Sequence, residues 1–82
     1  FRYREMFNIC RDALEREGEL STRELTERVM VAKGLDINDA VLARAIAFRL
    51  IQNLTMHLRR GNLAEAGRRR LRRERVWTLK PK

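Results

Sequence analysis

One cysteine, one histidine and one proline stand among the 82 residues, and each scarcity closes off a class of protein. Cys10 has no second cysteine for an intramolecular disulfide. With His57 alone beside it, the set is too small for a zinc site of ordinary ligand number, so no metal is expected. The missing disulfides fit a reducing compartment, and a cytoplasmic setting is expected. No apolar run exceeds four residues, Ala45-Ile46-Ala47-Phe48 being one. That is far short of the roughly 20 residues that cross a bilayer, so no membrane partner is expected. Aromatic residues make up only 6%. No nucleophile, base and orienting group fall at a spacing that suggests catalysis, so neither an enzyme nor a cofactor is expected.

Carboxylates are also scarce, but only in one half. Residues 1–40 hold 7 Lys and Arg against 9 Asp and Glu, a balance of −2, whereas residues 41–82 hold 12 against 2, a balance of +10. The net charge of +8 on so short a chain points to an anionic partner, most often nucleic acid. Hydrophobic residues reach 44%, close to the globular average, so the chain is expected to fold as one domain over residues 1–82 around one core.

Glycines and capping residues divide the chain. Tyr3, Met6, Phe7, Cys10, Ala13 and Leu14 fall at helical spacing, and Gly18 supplies a stop, which predicts a first helix over 2–17. Ser21-Thr22-Arg23-Glu24 reads as a capping box for a second helix over 22–33. The link Glu19-Leu20 can add one or two extended residues to a sheet edge. Asp36 or Asn38 is expected to cap a long third helix over 38–60, ended by Gly61. Its buried face is expected to carry Ala40, Ala43, Ala47, Leu50, Ile51, Leu54 and Leu58, with Arg49, Asn53, Met56 and Arg60 opposite. From 63 to 79 a basic stretch joins two segments, the second of which, Val76-Trp77-Thr78-Leu79, is rich in strand-forming types. A β-hairpin is favoured there over a fourth helix. The expected core is Phe7, Leu14, Leu25, Val29, Leu50, Ile51, Leu54 and Leu58, with Trp77 closing one edge. Cys10 reads as a small buried hydrophobe and His57 as a partly exposed helix residue.

Three helices followed by a two-stranded hairpin with an aromatic in its return strand resemble the winged helix-turn-helix family. Gly18-Glu19-Leu20-Ser21-Thr22-Arg23-Glu24-Leu25 is similar to that family's entry into its second helix. Leu58-Arg59-Arg60-Gly61-Asn62-Leu63 is similar to its turn into the wing. The resemblance implies a mainly α fold with a small antiparallel hairpin. It also implies duplex DNA as partner, a role in transcription regulation, a third helix that reads bases, and a wing over Arg68 to Arg75. The third helix is longer than the family usually has, and the turn before it carries two apolar residues, Leu35 and Ile37.

The candidate nucleic-acid contacts follow. Arg68, Arg69, Arg70, Arg72, Arg73 and Arg75 suit phosphates or a narrow minor groove. Thr22 and Arg23, at a helix N-terminus, suit a backbone phosphate. Asn38, Arg44, Arg49, Gln52 and Asn53 offer donors for base edges or phosphates. A rival reading rests on Val41, Leu42, Ala45, Phe48 and Met56, too many apolar groups for an outward face without cause. On that reading the chain is a protein-interaction module, binding a second copy of itself or a partner domain, with the basic hairpin on an acidic surface. Structured RNA is a third partner class for an arginine-rich segment.

Overall fold

The computed structural model describes residues 5–65 and 75–79. It contains α1 (Glu5–Glu17), β1 (Glu19–Ser21), α2 (Thr22–Ala32), α3 (Ala40–Arg59), β2 (Leu63–Glu65) and β3 (Val76–Leu79). The fold is mainly helical, with a three-stranded antiparallel sheet in the order β1-β3-β2.

Local chemistry explains where the helices begin and end. At α2 the Glu24 amide donates to Ser21 Oγ at 3.1 Å, while the Ser21 amide donates to Glu24 Oε1 at 2.9 Å. Two backbone donors that the helix leaves without partners are thereby satisfied, as the sequence predicts. Replacing Ser21 with Ala is expected to cost about 1 kcal/mol. In a domain of this size that is roughly a 4–8 °C fall in Tm, readable by circular dichroism. Both α2 and α3 end in the same reciprocal pattern around a left-handed glycine. At α2, Leu35 N–H reaches Met30 O and Gly34 N–H reaches Val31 O; at α3, Asn62 N–H reaches His57 O and Gly61 N–H reaches Leu58 O. Between α1 and α2 the Arg28 guanidinium grips Glu17 through two bonds of 2.7 Å, which holds the Glu17 carboxyl below its usual range.

The start of α3 differs from expectation. Asp39 is the cap, accepting from the Leu42 amide at 3.0 Å. Asp36 instead accepts from the Asn38 amide at 2.9 Å, closing a local turn of the kind short acidic side chains favour. Asn38 therefore precedes the helix and is exposed.

The sheet ties distant parts of the chain together. Central β3 pairs Leu20 with Trp77 on one side and Leu63 with Leu79 on the other. Glu19-Leu20 thus grows into a three-residue strand because its partner lies more than fifty positions later. Trp77 is fully buried, among Leu14, Leu25, Val29, Met30, Leu50 and Leu54. From the expected core, Phe7, Ile51 and Leu58 are only half-buried, while Met6, Leu20, Met30, Ile46, Leu63 and Val76 are buried as well.

The buried line of α3 is Ile46, Leu50, Leu54 and His57, rotated from the expected face. Ala40 is exposed, and Ala43, Ala47, Ile51 and Leu58 are half-buried. The reason is size. Alanines count as apolar in a helical pattern but fill little space, so packing turns the larger Ile46 inward and leaves Ala40, Ala43 and Ala47 along a groove. His57 can take part because its ring stacks on Phe7, with centroids 3.6 Å apart, and its Nδ1 meets Asn62 Nδ2 at 3.0 Å. A buried imidazole with such partners avoids the cost of an unsatisfied polar group.

Candidate nucleic-acid interface

The N-terminus of α2 is fastened to the start of β3. Thr22 donates its amide to Arg75 O at 3.0 Å, and its hydroxyl accepts from Trp77 Nε1 at 3.0 Å. The Arg75 guanidinium lies 4.3 Å from the centroid of the Trp77 ring, close enough for a cation–π contact. The buried indole therefore sets the positions of both Thr22 and Arg75.

Around this fastening lies a groove of about 880 Å³ between α2 and α3. Its rim brings together five of the sequence-nominated residues, Thr22, Arg23, Asn38, Arg44 and Arg75. The small side chains Ala40, Ala43 and Ala47 form part of its wall. Arg23 is well exposed and lies 3.7 Å from Glu27, a carboxylate that also lines the groove. Exposed ion pairs of this kind contribute little and rearrange easily, so Arg23 stays accessible to an anion.

A second surface runs along the outer side of α3. Val41, Arg44, Ala45, Phe48 and Arg49 border a shallow hollow of about 510 Å³, and Gln52 is exposed one turn beyond. Val41 is 82% and Phe48 66% exposed, so the apolar ridge is real. Two arginines flank it.

Three nominated residues do not join these surfaces. Asn53 is half-buried and faces α1, because the rotation of α3 carries its position inward; its Oδ1 is sealed from solvent and has no hydrogen-bond partner among the described residues. Met56 borders the same cleft near α1, apart from Val41 and Phe48. Leu42 is half-buried against the core. The nominated arginines at 68–70, 72 and 73 lie outside the described residues, and only Arg75 of that stretch is placed. The sequence reading missed the Thr22–Trp77–Arg75 fastening. Its one available signal was a threonine directly after the capping serine.

Among the described residues no group of three or more His, Cys, Asp or Glu could hold a metal ion. None of the described helices is long and apolar enough to cross a membrane. Cys10 is 1% exposed, and burial pushes its thiol pKa up to about 12. A thiol so placed holds almost no thiolate at pH 8 and is shielded from reagents. Native protein is therefore expected to resist a thiol-reactive dye at pH 8 and to react stoichiometrically once unfolded in guanidinium.

No family model, no curated protein and no solved structure matches the chain.

Proposed function

We propose that the chain is a winged helix-turn-helix domain that binds duplex DNA, as a transcriptional regulator or the DNA-binding part of one. The observation that carries the reading is the convergence of three kinds of anion-seeking group around one groove. The N-terminus of α2 brings the positive end of its helix dipole with Thr22 and Arg23, α3 brings Arg44, and Arg75 directly precedes β3. Helix N-termini and arginines are the common phosphate contacts of DNA-binding proteins. The order of elements, three helices with a β1-β3-β2 sheet closing behind them, supports the same reading.

On this reading α3 lies in the major groove. Arg44, Arg49 and Gln52 supply hydrogen bonds, and Val41, Ala45 and Phe48 between them meet thymine methyl groups, the apolar feature that groove offers. The arginine-rich stretch between β2 and β3 meets phosphates or the minor groove.

A second reading is favoured by the exposure of Val41, Phe48 and Ile37, which together suit a partner protein. The two separate in one experiment. Fluorescence anisotropy of a labelled random-sequence duplex, titrated with the domain at 50 and 200 mM salt, is expected to show binding that weakens steeply with salt. An absence of binding at 50 mM salt would move the assignment to the protein-interaction module.

A further inference from the structure

Thr22 lines the groove between α2 and α3, yet both of its donors are already committed inside the chain. Its amide donates to Arg75 O at 3.0 Å, and its hydroxyl donates to the same oxygen at 3.4 Å. The hydroxyl oxygen in turn accepts from Trp77 Nε1 at 3.0 Å. A threonine has no third donor to offer an anion. The indole that makes this bond is fully buried, and the Arg75 guanidinium lies over its ring, 4.3 Å from the centroid. Arg75 is therefore held at both ends, its carbonyl by Thr22 and its guanidinium by Trp77, while Thr22 and Trp77 hold each other.

We propose that Thr22 is a positioning residue for Arg75 and is not itself a phosphate contact. The inference rests on the DNA-binding reading and deepens it: Arg75 meets the phosphate, and Thr22 sets where Arg75 stands. Stacking on the indole engages the face of the guanidinium, whereas a phosphate takes the N–H fork at its edge, so the two contacts are compatible. An arginine side chain has many rotamers, and fixing one of them before the duplex arrives is worth about three- to tenfold in affinity. Removing the Thr22 hydroxyl leaves the indole N–H without its partner and one bond fewer on Arg75 O. Arg75 then loosens although no charge has been lost.

A double-mutant cycle tests this, read by fluorescence anisotropy of a labelled random-sequence duplex over a salt series. Thr22→Val keeps the shape and drops the hydroxyl. It is expected to weaken binding about three- to tenfold and to leave the slope of log affinity against log salt unchanged. Thr22→Ser should restore the affinity of the parent. Arg75→Gln should reduce the steepness of the slope by about 0.9, the mark of one phosphate contact. With Arg75→Gln in place, adding Thr22→Val should change affinity no further, because the threonine acts only through the arginine. Trp77→Phe breaks the same link from the other side and should also weaken binding without altering the slope; circular dichroism checks that each variant is folded. A slope that flattens with Thr22→Val would overturn the proposal, as would parental affinity in that variant, or its full effect in the Arg75→Gln background. One readout needs no DNA: by ¹⁵N relaxation, the Arg75 Nε–H group should be rigid in the parent and mobile in Thr22→Val. Equal mobility in the two would overturn the positioning role by itself. A parent that is rigid there yet binds no duplex would uphold the positioning role and overturn the DNA reading alone.

Discussion

Replacing Arg68, Arg69, Arg70, Arg72, Arg73 and Arg75 with glutamine is expected to abolish measurable duplex binding at physiological salt. The six changes take the net charge from +8 to +2 and remove half of the 12 basic residues in positions 41–82. Each phosphate neutralised contributes about −0.9 to the slope of log affinity against log salt. Six contacts would give a slope of roughly −5, or about a thousandfold loss of affinity between 50 and 200 mM salt. The variant should lose both the affinity and most of that slope. Because Arg75 also lies over Trp77, a companion variant retains it and changes only the other five. That companion should keep the stability of the parent and still lose most of the slope. A five-site variant with an unchanged slope would mean that the arginine stretch does not meet phosphate.

Trp77→Ala is expected to have the largest effect on stability. Its ring is fully buried where all three helices and the sheet meet, and its Nε1 is bonded to Thr22. Truncating a buried tryptophan costs about 3–5 kcal/mol through lost transfer energy and the cavity left behind. A domain of this length has roughly 4–12 kcal/mol in total, so the variant should be marginal or unfolded at 37 °C. Trp77→Phe separates packing from hydrogen bonding. It keeps an aromatic ring but gives up the bond to Thr22, at about 1 kcal/mol. Urea melts followed by circular dichroism test both. A stability loss below about 1 kcal/mol for the alanine variant would contradict the packing described.

How much of this was legible depends on whether the cause is local. The Ser21–Glu24 cap, the glycine stops and the burial of Cys10 involve residues within a few positions of one another, so their spacing carries the information. Trp77 was also legible as core, because a single large aromatic in a strand-like segment has few other places to go. The rotation of α3 was not legible. It depends on Phe7 and Asn62 making a home for His57, and on alanines being too small to direct packing. That same rotation moved Asn53 from the expected outer face into the cleft beside α1, and drew Leu42 onto the core. The choice of Asp39 over Asp36 and Asn38 as cap was a contest among three adjacent good candidates, decided by turn geometry. The assembly of Thr22, Arg23, Asn38, Arg44 and Arg75 around one groove needed the strand pairing to bring position 75 beside position 22.

The rival readings of the exposed α3 ridge differ in which variants matter. If the ridge docks a protein, Val41→Ser with Phe48→Ser disrupts association and leaves duplex affinity intact. If it lies in the major groove, the same pair leaves salt-dependent, sequence-independent affinity largely in place and reduces preference among sites, because phosphate contacts position and base contacts specify.

The most direct test of the central claim is a ¹⁵N–¹H NMR titration of the domain with a short duplex. The account predicts that the amides of Thr22, Arg23, Arg44 and Arg75 shift together at one binding constant, while those around Asn53 and His57 stay still. Shifts confined to Val41 and Phe48, or none at all at low salt, would contradict a DNA-binding face built from α2, α3 and the start of β3.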